Sequence, residues 1–262
     1  MSLSRRYLLS AACLFLATTT NISIAEPANK ADLVQVEKNL KTNIPALVVD
    51  QIKPAIIPGL IDIQTDSGER VLADPSGRFL IVGAQILEVK GPGQLVNLTE
   101  QEDGQRRQTV LKNVKASELV QYKPKTVKGK LFVFTDPDCG YCRKFHSEVP
   151  ALVAAGVQVN YLAWPRSGVA SPTGETMIKI WCSKDPQAIM DQAKSGNSIS
   201  VSAVPEKKLA ACAQTVEKQV RLGQQLGVRG TPAIFTEDGR QVGGYRSAAE
   251  LIQELNVKPN PS

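Results

Sequence analysis

The sequence predicts an α+β protein, in which a small unit of one helix packed on an antiparallel sheet precedes a larger α/β domain. Between residues 46 and 89, short runs of β-type residues alternate with Pro, Gly, Asp and Ser turn signals, a pattern typical of hairpins and meanders. From residue 130 onward, apolar strand-like runs alternate with helical segments, which is typical of a layered α/β domain.

The first 25 residues predict a secretory signal peptide. Arg5 and Arg6 precede an apolar run at residues 7–17, and small residues at 23–25 offer a cleavage site before Glu26. The apolar run is too short for a membrane-spanning helix. We therefore expect an exported protein that is cleaved near Ala25–Glu26.

A lipid anchor on Cys13 is the alternative reading of this segment. It is disfavoured because Ser10 stands where a large aliphatic residue would be wanted. Outside the leader, no stretch approaches 18 apolar residues, so no membrane insertion is expected after cleavage.

Charge and cysteine content narrow the function classes. Loss of Arg5 and Arg6 lowers the net charge from +6 to +4, and the remaining basic residues form no cluster of the kind that binds nucleic acid. The mature chain keeps an even number of cysteines, which favours disulfides in an oxidising compartment. They are Cys139, Cys142, Cys182 and Cys212.

Residues 26–96 form the first predicted unit. Leu33, Val36 and Leu40 recur at helical spacing within residues 31–43. The predicted strands of the sheet are residues 47–52, 59–65, 69–74, 78–83 and 84–89. Residues 97–128 are polar and charged and predict a partly helical linker, with 116–122 as its helix candidate.

Residues 129–258 form the second predicted unit. A strand at 130–136, a helix ending at Gly156 and a strand at 157–164 come first. A helical insert follows at about 171–226, then a hairpin at 232–245. Ser247 and Glu250 have capping-box spacing before a last helix.

The pair Cys139 and Cys142 stands where the first of these strands turns into a helix. Cysteines three apart at a helix start are close enough to form a disulfide reversibly. The unpaired N–H groups and the dipole at a helix N-terminus favour the thiolate of the first cysteine. Gly140 leaves room beside that sulfur, and Cys142 lies one turn further in. The pattern predicts a redox dithiol.

Other uses of a C-x-x-C pair have less support. Zinc would want a second ligand pair, but the chain has one histidine and no other C-x-x-C. Covalent haem would want His after the second cysteine, where residue 143 is Arg. A purely structural disulfide closing so short a loop would add little stability. No metal or other cofactor is therefore expected.

Three ionisable residues lie near the pair. His146 shares a helical face with both cysteines and could hold a thiolate, although a packed or solvated histidine is the favoured reading. Asp136 and Asp138 are read first as turn and capping residues, with any opposition to thiolate charge secondary.

Several segments together resemble bacterial periplasmic thiol:disulfide interchange proteins of the DsbC/DsbG type. The carrying motifs are KLFVFTDPDCGYCRKFH, LAWPRSG, WCSKD and GVRGTPAIFTEDGRQVGGY, in that order. The first unit, from the helix through GLIDIQTDSGERVLADPSGRFLIVG, resembles that family's N-terminal dimerisation domain. The resemblance implies a thioredoxin-like catalytic domain with a helical insertion.

Site roles follow from the resemblance. It implies that Cys139 attacks and Cys142 resolves, and that Thr231-Pro232 is a Thr–cis-Pro element facing the active site. Gly140, Tyr141, Thr231 and Pro232 are the implied substrate-binding residues. A second, structural disulfide between Cys182 and Cys212 is implied as well. The chain departs from ordinary thioredoxins at Val133, where they place a buried acid.

The resemblance further implies a periplasmic homodimer that reduces and isomerises incorrect disulfides in misoxidised exported proteins. An inner-membrane thiol reductase would regenerate its dithiol. A dithiol oxidase or a sulfenic-acid reductase of the same fold stays open, as does a chaperone with secondary redox activity.

Overall fold

The computed structural model describes residues 26–199 and 204–257. The predicted signal peptide lies outside the described residues. The expected order is confirmed: an N-terminal helix with an antiparallel sheet, then a mixed α/β domain carrying a helical insertion.

The N-terminal unit begins with helix α1 (Lys30–Asn43), which buries Val36 and Leu40 against the sheet. Its first turn is closed by a capping box between Asn29 and Asp32. The sheet has four antiparallel strands in sequential order: β1 (Val49–Pro54), β2 (Ile61–Thr65), β3 (Arg70–Ala73) and β4 (Leu80–Val82).

The fifth predicted run does not join this sheet, and that expectation was wrong. Gly83 turns the chain at φ +71°, a value that favours glycine. Strand β5 (Leu87–Gly91) then pairs with β6 (Gln94–Asn97) in a separate hairpin.

The segment predicted as a linker contains helix α2 (Leu98–Lys112), a 3₁₀ turn (Ala116–Glu118) and strand β7 (Val120–Tyr122). The helix candidate at 116–122 was therefore wrong. Val120 pairs with Tyr161 of the neighbouring strand, and the Glu118 carbonyl accepts a hydrogen bond from Trp181 Nε1 at 2.8 Å. These tertiary partners take the place of bonds within a helix.

The C-terminal domain is built on a five-stranded sheet, whose order is β11 (Gln241–Gly243), β10 (Ala233–Thr236), β8 (Gly129–Thr135), β9 (Val157–Ala163) and β7. Strand β8 is parallel to β9, and β10 runs antiparallel between β8 and β11. The connection from β8 to β9 is helix α3 (Gly140–Ala155).

The helical insertion lies between β9 and β10. It contains α4 (Pro172–Cys182), α5 (Pro186–Lys194) and α6 (Glu206–Gln225). Helix α7 (Ala248–Glu254) closes the domain with the predicted capping box between Ser247 and Glu250. Helix α3 buries Phe145, Val149 and Leu152 against the sheet, which fixes the N-terminus of α3 at the end of β8.

Candidate active site

The two cysteines of the C-x-x-C pair are free thiols at the start of α3. Cys139 is the N-cap residue and is 5% exposed, whereas Cys142 lies in the first turn and is fully buried. The turn before them is held by Asp136, whose side chain accepts from the Asp138 N–H at 2.7 Å and whose carbonyl accepts from the Cys139 N–H at 3.2 Å. This turn delivers Cys139 to the helix N-terminus.

The Thr231-Pro232 peptide is cis and faces the first cysteine. Because β10 pairs with β8 in antiparallel register, with Ala233 opposite Phe134, the residues before β10 lie beside those after β8. The Cys139 Sγ donates to the Thr231 carbonyl at 3.2 Å. The structure thus brings the predicted Thr–Pro element and the predicted nucleophile into direct contact.

The two thiols differ in acidity. Burial raises the pKa of Cys139, but the contact with Thr231 and the backbone N–H groups of Cys142 and Tyr141 outweigh it, so its pKa lies below the ordinary value. For Cys142, burial dominates and raises the pKa despite the opposing effect of Lys194. Because the thiolate is the attacking species, this difference favours Cys139 as nucleophile.

The nearby carboxylates are occupied by other partners. Asp136 Oδ2 accepts from the backbone N and from Nε of Arg166, both at 2.9 Å. Asp138 Oδ1 lies 3.5 Å from Arg143 Nη2, and its other oxygen accepts from the Thr173 hydroxyl. These aspartates therefore form the turn, as the sequence predicts, and their charge is balanced.

His146 belongs to a packed network one turn further along α3. Its Nδ1 is 3.0 Å from the Tyr161 hydroxyl and its Nε2 is 3.0 Å from Asp191 Oδ1. Burial lowers its pKa. These hydrogen bonds run to the neighbouring strand and helix, in agreement with the packed reading of this histidine.

The outer face of the site is open. Tyr141 is 65% exposed and its ring lies 6.3 Å from that of Tyr245. A Cβ built on Gly140 would meet no heavy atom within 4 Å. A separate groove is lined by Gly230, Thr231 and Pro232, among others. Thr231 and Pro232 therefore line a groove, and Tyr141 is exposed to solvent; that these residues and Gly140 bind substrate stays a prediction.

The other two cysteines are joined. Cys182, the last residue of α4, is bonded to Cys212 in α6, with an S–S distance of 2.08 Å. The bond ties two helices of the insertion together and leaves both thiols of the C-x-x-C pair free.

No group of three or more His, Cys, Asp or Glu side chains in residues 26–199 and 204–257 could hold a metal ion. Over the same residues, no helix is long and apolar enough to cross a membrane.

Sequence reasoning missed Lys194 and Thr135, which lie behind Cys142. Lys194 Nζ donates to Thr135 Oγ1 at 2.6 Å and to the Asp136 carbonyl at 2.8 Å. A signal was present: Lys194 follows Met190 by four residues, so it lies on the apolar face of α5.

Comparisons with known proteins agree with this geometry. Residues 116–258 match the model of a thioredoxin-like domain, and residues 24–100 match that of the disulfide bond isomerase protein N-terminal domain. The thiol:disulfide interchange protein DsbC of Escherichia coli K12 is 34% identical over 78% of this chain and 80% of its own length. DsbC of Haemophilus influenzae is 31% identical over 90% of this chain and 96% of its own. The chain belongs to the DsbC family of thiol:disulfide interchange proteins.

Proposed function

We propose that this protein is a periplasmic thiol:disulfide interchange protein that reduces and isomerises incorrect disulfides in exported proteins. The observation that carries the proposal is the pair of unequal thiols at the start of α3, with Cys139 against the cis Thr231-Pro232 peptide. Membership of the DsbC family supports the same reaction.

The first step is attack by the Cys139 thiolate on one sulfur of a substrate disulfide. A Cys139–substrate bond forms, the substrate S–S bond breaks, and the other substrate sulfur leaves as a thiolate. If that thiolate then attacks another disulfide and a substrate thiolate finally displaces Cys139, the substrate is isomerised with no net electron transfer. If Cys142 displaces the substrate, two electrons pass to the substrate and the Cys139–Cys142 disulfide forms.

The surface at the site suits protein substrates. The exposed Tyr141 ring offers apolar contact, and the groove beside Pro232 borders the edge strand β11. An extended substrate segment lying there could use backbone hydrogen bonds without sequence preference. Such binding suits a protein that acts on many misoxidised partners.

A homodimer formed through the N-terminal units is part of the proposal. Strand β4 is at the edge of its sheet. Its residues Ile81 and Val82 are 47% and 59% exposed, and Phe79, just before the strand, is 67% exposed. An exposed apolar edge strand is a pairing surface. The substitution Ile81→Asp should give a monomer by light scattering, and Val34→Asp, at an exposed position on α1, should stay dimeric. A dimeric Ile81→Asp protein would remove this part of the proposal.

Export to the periplasm and reduction by an inner-membrane thiol reductase complete the proposal. Both rest on family membership and on the signal-peptide pattern of residues 1–25. The reductase is needed because each round of substrate reduction leaves Cys139 and Cys142 oxidised.

Refolding of scrambled ribonuclease tests the function. Wild-type protein should restore ribonuclease activity, Cys139→Ser should abolish the effect, and Cys142→Ser should keep part of it because a substrate thiol can complete isomerisation. If wild-type protein oxidises reduced ribonuclease but rearranges no scrambled disulfides, the isomerase assignment is wrong and the oxidase alternative replaces it. Equal suppression of aggregation by a variant lacking both cysteines would identify a separate chaperone activity.

A further inference from the structure

A buried lysine lies behind the resolving thiol. Lys194 is the last residue of α5 and is 4% exposed, on the face that also buries Ile189, Met190 and Ala193. Its Nζ contacts Thr135 Oγ1 at 2.6 Å and the Asp136 carbonyl at 2.8 Å. A lysine is seldom buried to this extent, and its amine here is aimed at the end of β8, where the active-site turn begins.

Thr135 connects this amine with Cys142. Thr135 is fully buried at the end of β8, and its hydroxyl stabilises the Cys142 thiolate, as does the positive charge of Lys194. A hydroxyl can accept one hydrogen bond while donating another. Lys194 and Cys142 therefore share the Thr135 hydroxyl as a neighbour: Lys194 Nζ donates to Thr135 Oγ1 at 2.6 Å, and the Thr135 side chain acts to lower the pKa of Cys142.

The lysine has a perturbed acidity that fits this position. Burial lowers its pKa from 10.5 to about 8, while Cys142, Asp136 and Cys139 act to raise it. An amine with a pKa of about 8 can both release and accept a proton near neutral pH. The other titratable or charged groups that interact with this amine are Arg143, His146 and Tyr161.

We propose that Lys194 is a positioning residue that accepts the proton of Cys142, through the Thr135 hydroxyl, when Cys142 resolves a mixed disulfide. The inference rests on the proposed function, since it concerns the step in which the substrate is released as a reduced thiol.

The resolving step begins with a neutral Lys194 amine. The Cys142 proton passes to Thr135 Oγ1 as the Thr135 proton passes to Lys194 Nζ, which leaves an ammonium and a thiolate. The Cys142 thiolate attacks the Cys139 sulfur, the bond between Cys139 and the substrate breaks, and the substrate sulfur leaves with the electron pair. The products are the Cys139–Cys142 disulfide and the substrate thiolate, reduced by two electrons.

The mixed disulfide itself prepares the lysine for this role. In the free dithiol, a Cys139 thiolate helps keep Lys194 protonated. Once Cys139 is bonded to substrate it carries no charge, and that stabilisation of the ammonium is lost. Neutral Lys194 is therefore more populated in the intermediate in which Cys142 has to lose its proton.

The model disulfide DTNB separates attack by Cys139 from resolution by Cys142. The protein is in excess over DTNB and concentrated enough that attack by Cys139 is complete before resolution begins. Attack by Cys139 releases one coloured thiolate, and resolution by Cys142 releases the second. In Lys194→Met we expect the second phase to be about tenfold slower at pH 7, with its pH midpoint about one unit higher, since an adjacent opposite charge shifts a pKa by about that much or more. Thr135→Val should have a similar effect.

Lys184→Met is the matched control, because Lys184 is an exposed lysine in the same insertion, and its second phase should equal that of wild type. A wild-type pH profile of the second phase in either Lys194→Met or Thr135→Val, with the variant folded by circular dichroism, would overturn the proposal. This readout needs no natural substrate. Two normal phases from a wild-type protein that fails the ribonuclease test would thus count against the proposed function and not against the role of Lys194.

Discussion

Keeping Lys194 charged in the protein interior should reduce the stability of the fold. Its pKa falls from 10.5 to about 8 on burial, and one pKa unit corresponds to about 1.4 kcal/mol. At pH 7 the ammonium is therefore about 3 kcal/mol less favourable in the folded protein than in the unfolded chain. Lys194→Met removes this unfavourable contribution to folding and replaces the amine with an apolar side chain of similar length.

The hydrogen bonds lost in Lys194→Met offset part of the gain. The Asp136 carbonyl keeps its bond from the backbone N–H of residue 139, so the main loss is the bond from Lys194 to the Thr135 hydroxyl. Allowing about 1 kcal/mol for the lost bonds, we expect a net stabilisation of about 2 kcal/mol at pH 7.

The stability difference between Lys194→Met and its parent should depend on pH. Between pH 8 and 10.5 the unfolded lysine still holds a proton that the folded one has released, so the stability of the protein with Lys194 rises with pH. The advantage of Lys194→Met should therefore shrink over that window and be constant below it.

Urea unfolding measures this difference, with both proteins carrying Cys139→Ser and Cys142→Ala so that no active-site thiol titrates and no reductant is needed. Removing those thiols removes two groups that raise the pKa of Lys194, so the effect is kept. The reasoning would be refuted if Lys194→Met were no more stable than its parent at pH 7. It would also be refuted if the difference in unfolding free energy between the two proteins stayed constant up to pH 10.5.

Three further outcomes are expected. Replacing both Cys182 and Cys212 with Ala opens a loop with a sequence separation of 30 and should cost about 3 to 4 kcal/mol in urea unfolding; a cost below about 1 kcal/mol would mean that the insertion is ordered without the bond. Gly223→Ala would put a Cβ 2.4 Å from the Trp164 ring and should cost about 1 to 3 kcal/mol by thermal or urea unfolding, and unchanged stability would contradict that packing. His146→Phe should leave the pH profile of Cys139 alkylation unchanged, because the His146 hydrogen bonds run to Tyr161 and Asp191; a shifted midpoint would show that this histidine tunes the thiolate.

Local signals in the sequence predicted most of the fold. The capping box at Ser247, the C-terminal Gly156 of α3 and the turn at Asp136 are all contained in a few adjacent residues, so they could be read directly. The segment at 116–122 could not, because its strand exists only through pairing with Tyr161 and its neighbours. The separate hairpin of β5 and β6 likewise depends on where the chain turns at Gly83.

The candidate site also contains residues that local sequence patterns predicted and one, Lys194, that they did not. The positions of Cys139 and Cys142 follow from a spacing at a helix start, and the cis Thr231-Pro232 element was implied by resemblance. Lys194 is 52 positions beyond Cys142 and reaches it only because α5 packs against the end of β8. Its place on an apolar helix face was the one local sign that this lysine would be buried.

Trapping the mixed disulfide tests the central claim, that Cys139 attacks and Cys142 releases. The variants Cys139→Ser and Cys142→Ala are each mixed with scrambled ribonuclease. The mixtures are quenched with acid, alkylated and separated on a non-reducing gel. Cys142→Ala should accumulate a covalent complex that a reductant dissolves, and Cys139→Ser should give none. A complex that forms with Cys139→Ser and not with Cys142→Ala would reverse the assigned roles and contradict the account.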